Sequence, residues 1–213
     1  MNQEGDESMK DNIPLMAVVL SAGKATRMGQ LKQLLPIHGV GMLEMVLTKI
    51  LSFPFSSIIS VVGHKKEEIK NSVIIDDPRF KWVTNVNYDD GLSSSIKEAI
   101  RHANKDNLGM MVFLGDQPLL KERTIDQLLD KVREQGENCS KLIIQPTYNG
   151  QTGHPVFISS GMYPYVFKLS GDQGAKRIFK FADKHIFVPV EDEGVILDID
   201  TPKDYEYIIK NLE

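Results

Sequence analysis

Six uncharged residues, Leu15 to Leu20, run straight into Ser21-Ala22-Gly23, and this junction constrains the rest of the chain. A run with no charge in it suits a strand buried on both faces, the environment of a parallel sheet. The small residues that follow let the backbone turn sharply and approach a ligand closely. Consecutive backbone N–H groups in such a turn form a concave anion site. Arg27, Gly29 and Lys32 come next, so full positive charges join those partial ones. The stretch therefore reads as a loop that holds a polyphosphate at the end of a parallel strand. A surface loop with two solvated cations is the plain alternative. Gly23 and Gly29 stand too far apart for a dinucleotide-binding Gly-x-Gly-x-x-Gly, and Gly23-Lys24-Ala25 lacks the hydroxyl of a Walker A motif.

Downstream, apolar runs alternate with amphipathic stretches, the pattern of βαβ units. The spacing predicts strands at Leu15–Leu20, Ser57–Val62, Phe80–Thr84, Met110–Leu114, Leu142–Gln145, Pro155–Ile158, Ile186–Pro189 and Val195–Asp198. It predicts helices at Met42–Leu51, Lys65–Ser72, Leu92–Ala103, Thr124–Val132, Gly161–Phe167 and Gly174–Phe181, and a last one opened by Thr201-Pro202-Lys203-Asp204. We expect one domain over residues 14–213, preceded by a polar, acidic tail over 1–13 without fixed structure. A formal net charge of -4 argues against a general nucleic-acid binder, so local cations must do any phosphate binding. No apolar run reaches the length of a membrane span. The single cysteine, Cys139, excludes an internal disulfide and suits a reducing cytoplasm, and no neighbouring base marks it as a nucleophile.

Three further segments carry chemistry. Asp116, in Gly115-Asp116-Gln117-Pro118, leaves the end of a predicted strand, on the edge where open α/β sheets bind ligands. It suits either a Mg²⁺ ligand or a cap on the following turn. Asp198 and Asp200, alternating on a predicted strand, would share one face, as a second carboxylate source or as a surface pair. Ser93, Ser94 and Ser95 open a helix after Gly91, where hydroxyls either bond a ligand or cap. His154 stands alone, without a metal-ligand cluster in sequence.

Taken whole, Leu20-x-Ala22-Gly23-x-x-x-Arg27-Met28-Gly29-x-x-Lys32-x-Leu34-Leu35-Pro36 resembles the opening signature of the MobA-like nucleotidyltransferases, and within them the molybdenum-cofactor cytidylyltransferases. Gly115-Asp116-Gln117-Pro118, Gly91-Leu92-Ser93-Ser94-Ser95, Gly153-His154-Pro155, Gly171-Asp172-Gln173-Gly174-Ala175 and Asp198-Ile199-Asp200-Thr201-Pro202 resemble further family segments, in matching order from Val18 to Tyr205. The resemblance implies a Rossmann-like, three-layer α/β/α sandwich with a mostly parallel mixed sheet, of the nucleotide-diphospho-sugar transferase type. It implies transfer of CMP from CTP to the terminal phosphate of molybdenum-bound molybdopterin, with release of pyrophosphate, for molybdenum hydroxylases such as xanthine dehydrogenase.

By the same resemblance, Arg27, Lys32 and Asp116 are catalytic. Leu20, Ser21, Ala22, Gly23, Arg27, Lys32 and Ser95 bind the nucleotide, and Asp116 and Asp200 hold Mg²⁺, with Asp198 as the alternate. Gly153, His154, Asp172 and Gly174 line the acceptor side. The implied partners are CTP, the molybdenum cofactor and a molybdenum hydroxylase apoenzyme, with no nucleic acid and no membrane. Two departures stand out: Ala25 where relatives often carry Ser, and Lys176 where they commonly carry Arg, which alone can grip a phosphate bidentately. Guanylyltransferase relatives read Leu-x-Gly-Gly where this chain has Leu20-Ser21-Ala22-Gly23, which favours a pyrimidine nucleotide. Two other readings stay open: a different phosphorylated acceptor, such as a sugar phosphate or a phospho-lactate-type acid, and a non-catalytic molybdenum-cofactor carrier.

Overall fold

A computed structural model describes residues 13–24, 30–135, 139–169 and 175–211. In chain order it contains β1 (Ile13–Ser21), β2 (Pro36–Ile37), β3 (Val40–Gly41), α1 (Met42–Leu51), β4 (Phe55–Val62), α2 (Lys66–Ser72), β5 (Phe80–Thr84), α3 (Leu92–Ile100), β6 (Gly109–Leu114), α4 (Glu122–Gln135), β7 (Leu142–Tyr148), β8 (Gln151–Thr152), β9 (Val156–Ser159), α5 (Tyr163–Val166), β10 (Lys184–Pro189) and α6 (Pro202–Asn211). The main sheet runs β10-β7-β9-β6-β1-β4-β5, with β8 hydrogen-bonded to β7. Pairings of β1 with β4 and β6, of β4 with β5, and of β7 with β10 are parallel. Only β9 and the short β8 run antiparallel to their neighbours in this sheet, which makes it mixed but mostly parallel.

β1 lies in the interior of the sheet, between β6 and β4, because both of its faces are apolar. Leu15, Ala17 and Val19 join one core cluster with Leu43, Leu47, Ile125 and Leu128 of α1 and α4. Met16, Val18 and Leu20 join the opposite cluster with Ile96 and Ala99 of α3 and Val166 of α5. Helices thus cover both sheet faces and make three layers. Each aliphatic side chain so buried contributes about 1.5–3 kcal/mol. Among the described residues no helix is long and apolar enough to cross a membrane.

Most expected elements are present, with shifted ends. β1 begins at Ile13, a residue expected in the tail; the remaining tail residues lie outside those described. α3 ends at Ile100, not Ala103, and the segment expected as a helix from Gly174 is a 3₁₀ helix over Ala175–Phe181. One expected strand is absent. Val195–Asp198 pairs with no strand; Glu193–Val195 is a 3₁₀ turn, and irregular backbone follows. Its groups are spent elsewhere: Val195 O accepts from His154 N at 2.8 Å and from Gln117 Nε2 at 3.2 Å, while Ile199 N donates to Asp116 O at 3.1 Å. The alternation expected of Asp198 and Asp200 survives without a strand, because Ile199 between them is fully buried in a third cluster with Leu35 and Ile208.

Candidate active site

The register of β1 on β6 pairs Leu20 with Leu114, so the two strands end side by side. Their exits, the Ser21–Gly23 turn and Gly115-Asp116, are therefore neighbours, tied by Gly115 N to Leu20 O at 3.0 Å. The approach is close: a Cβ at position 115 would fall 2.3 Å from Ser21 Oγ and would displace that hydroxyl. A cleft of about 570 Å³ opens at this edge, with Leu20, Ser21, Ala22, Gly23, Lys32, Ser95, Asp116, His154 and Asp200 all in its wall.

Lys32 sits at the head of a short 3₁₀ turn, Lys32–Leu34. Its Nζ donates to Asp116 Oδ2 and, at 2.9 Å, to Asp200 Oδ1. Residues 84 and 168 positions away are thereby joined through one ammonium. Burial opposes the charge on Lys32, but the Asp116 carboxylate, helped by Asp200, outweighs it and holds the lysine pKa above its ordinary value. Asp200 is positioned by the start of α6, a reciprocal cap: Asp204 accepts from Asp200 N at 3.1 Å and Thr201 N at 2.7 Å, while Asp204 N donates to Thr201 Oγ1 at 3.3 Å.

Asp198 takes a different place. Gln117, itself buried, donates to Asp198 Oδ1 at 2.7 Å. Burial, then the nearby Asp116 charge, pushes the Asp198 carboxyl up to about 6. Lys32 thus ties Asp116 to Asp200, while Asp198 is held by an amide. Among the described residues no three His, Cys, Asp or Glu side chains converge on one metal position. Two carboxylates still fit Mg²⁺, which keeps several waters and takes its remaining oxygens from substrate phosphates.

Ser95 is buried at the cleft wall, and its Oγ accepts from Asn85 Nδ2 at 3.0 Å. It does not cap α3; Ser94 instead donates to Gly91 O at 2.7 Å. Gly91 itself requires glycine, with φ +84° where the chain enters the helix. Gly153 packs flush on Val195, and His154 reaches both the main cleft and a second recess of about 240 Å³. That recess is apolar inside, with Ile96, Val112, Val156 and Phe179, and carries Lys176 and Arg177. Burial, then the Lys176 charge, depresses the His154 imidazole to about 4, so it is neutral at pH 7. Arg27, Asp172 and Gly174 lie outside the described residues.

Three site residues escape the sequence patterns. Gln33 is buried beneath the Ser21–Gly23 turn, and Lys24 pairs with Asp89 at 2.7 Å across the cleft wall, with Tyr88 alongside. Both Lys24 and Asp89 are well exposed, so that pair adds little stability.

Fold and cleft together define a nucleotidyltransferase-type α/β protein, with a glycine turn, a lysine and two carboxylates at the carboxyl edge of a parallel sheet. A family model of the MobA-like NTP transferase domain matches residues 17–186, and the chain belongs to that family. It is 30% identical over 202 residues to the purine catabolism protein PucB of Bacillus subtilis, covering 91% of this chain and 95% of PucB. It is 28% identical over 190 residues to the molybdenum cofactor cytidylyltransferase of Escherichia coli, covering 88% and 92%. Among solved structures it resembles Rv0371c of Mycobacterium tuberculosis, at 26% identity and a TM-score of 0.79 over 93% of this chain and 98% of that one. The manganese complex of Rv0371c superposes with a TM-score of 0.75 at 25% identity, over the same shares of the two chains.

Proposed function

We propose that the protein transfers CMP from CTP to the terminal phosphate of molybdenum-bound molybdopterin and releases pyrophosphate. The observation that carries this reading is the placement of Lys32 between Asp116 and Asp200, at the mouth of a cleft whose other wall is the Ser21–Gly23 turn. The similarity to the E. coli cytidylyltransferase supports the nucleotide and acceptor. The second recess, which adjoins the cleft at His154 and combines an apolar wall with Gln145, Lys176 and Arg177, gives room for an acceptor that has both a ring system and a phosphate.

In this reading the nucleotide lies along Leu20, Ser21, Ala22, Gly23 and Ser95, with its triphosphate toward Lys32 and Arg27. Asp116 and Asp200 would hold a divalent cation, Mg²⁺ or Mn²⁺, which would supply charge neutralisation to the phosphates. Lys32 is the protein's own cation for charge that gathers on the triphosphate as the Pα–O–Pβ bond breaks. An oxygen of the acceptor phosphate forms the new bond to Pα, and pyrophosphate leaves with the electron pair. No side-chain nucleophile is needed, because a phosphate monoester is already ionised. Gly153 and His154, with Asp172 and Gly174, form the acceptor side, where a neutral His154 can offer one donor and one acceptor to a ring. The setting is the cytoplasm, and a molybdenum hydroxylase apoenzyme receives the product.

Product analysis tests this directly. Incubation with CTP, Mg²⁺ and molybdenum cofactor should yield a cytidine dinucleotide of the cofactor by mass spectrometry. A CMP adduct formed only with sugar phosphates would replace the acceptor. Cofactor binding without CTP turnover would make the protein a carrier.

A further inference from the structure

The turn that closes β1 has all three of its carbonyls engaged. Gln33 Nε2 donates to Ser21 O at 3.0 Å and to Gly23 O at 3.2 Å, and His64 N donates to Ala22 O at 3.4 Å. The orientation of the Gln33 amide follows from this environment. Rotating it would put Oε1 against two carbonyl oxygens, so the amino end must face the turn. Its Oε1 is buried and finds no donor among the described residues. The hydrogen bonds that Gln33 makes among the described residues are thus those of its amino group. By contrast, the N–H groups of Ala22 and Gly23 have no hydrogen-bond acceptor among the described residues. The turn therefore offers N–H donors to the cleft, while each of its carbonyls already accepts one hydrogen bond.

We propose that Gln33 is a specificity-determining residue, which by tying up the Ser21 and Gly23 carbonyls makes this turn select cytosine and reject guanine. Cytosine presents N3 and O2, two adjacent acceptors that match free N–H groups. Guanine presents N1–H and a 2-amino group on the corresponding edge, and these donors would meet the N–H groups of the turn, beside carbonyls already shared with Gln33 and His64. A site built for one hydrogen-bonding pattern discriminates far more strongly than one that differs by a methyl group. Gln33 thus adds to the preference for a pyrimidine that Ala22, in place of a second glycine, implies. The proposal rests on the reading that the cleft holds CTP with its base against this turn.

The test uses Gln33→Met, which keeps volume but has no amide, and Gln33→Asn, which keeps an amide too short to reach both carbonyls. Dissociation constants for CTP and GTP are measured by calorimetry with Mg²⁺ and no acceptor, and kcat/KM for both nucleotides with the acceptor present. The wild-type protein should prefer CTP, and each variant should lose about tenfold or more of that preference. Gln33→Asn carries the test if Gln33→Met does not fold. If both nucleotides weaken in parallel and the ratio stays within twofold, Gln33 merely supports the loop and the proposal is overturned. A wild-type preference for GTP would overturn the cytidylyl reading itself, and is seen before any variant is made.

Discussion

Replacing Lys32 by alanine removes one ammonium from between two carboxylates, and its consequences can be sized from the site. The side chains of Lys32 and Asp116 are 13% and 20% exposed, so their attraction is only partly screened, whereas Asp200 at 49% contributes less. At an effective dielectric of about 20, unit charges 4 Å apart interact by about 4 kcal/mol. Desolvation offsets much of that, and the net loss on removing such a partner is on the order of 1–3 kcal/mol. For a chain of this length each kcal/mol lowers Tm by roughly 2–4 °C. Lys32→Ala without metal should therefore melt several degrees below wild type, and millimolar Mg²⁺ alone should recover part of the difference. Catalysis should fall further than stability does: losing one preorganised donor to transition-state charge costs roughly 10²–10³ in rate. Differential scanning calorimetry with and without Mg²⁺, and steady-state pyrophosphate release, read the two effects separately. An unchanged Tm together with a rate loss below about threefold would refute the reasoning and return Lys32 to a solvated surface.

Two other outcomes follow from the same site. Asp116→Asn keeps the shape of the side chain but not its charge, and should abolish turnover at saturating Mg²⁺ while circular dichroism shows a folded protein, with a Tm lowered as in Lys32→Ala because the same ion pair is lost; normal turnover would remove Asp116 from the metal site. His154, held near 4 against an ordinary 6.5, resists protonation in the folded state, so its contribution to stability is present above about 6.5 and is lost as pH falls toward 4. Urea unfolding from pH 4 to 8 should show His154→Asn losing less stability than wild type across that window, and parallel profiles would show that the imidazole is not buried neutral.

Where hydrophobic spacing and end signals agreed, the sequence was sufficient to read the structure. α1 and β5 begin and end where the spacing of Leu43, Val46, Leu47 and Ile50, and the run Phe80–Thr84, place them. α6 opens on the expected Thr201–Asp204 cap. What could not be read was set by partners distant in sequence. Residues 195–198 are apolar enough for a strand, but Gln117 and His154 take the Val195 carbonyl and leave no ladder to join. The β2–β3 hairpin turns on His38 and Gly39, both at positive φ, and a histidine there carries little signal. Asp116 and Asp200 could be named as candidate carboxylates from their motifs, yet no spacing rule relates residues 84 positions apart. The distinct place of Asp198 depends on Gln117, and the engaged turn on Gln33, side chains that no local pattern marks. Only folding reveals which carbonyls remain free, and that decides what the cleft can bind.

The proposed reaction transfers CMP from CTP to a phosphorylated pterin in this cleft. The most direct measurement is pyrophosphate released from CTP by the purified protein, with and without molybdenum cofactor, at saturating Mg²⁺. Release should depend on the cofactor, stop when the cofactor is consumed, and match it mole for mole. Absence of release with intact cofactor, or equal release without it, would rule this reaction out.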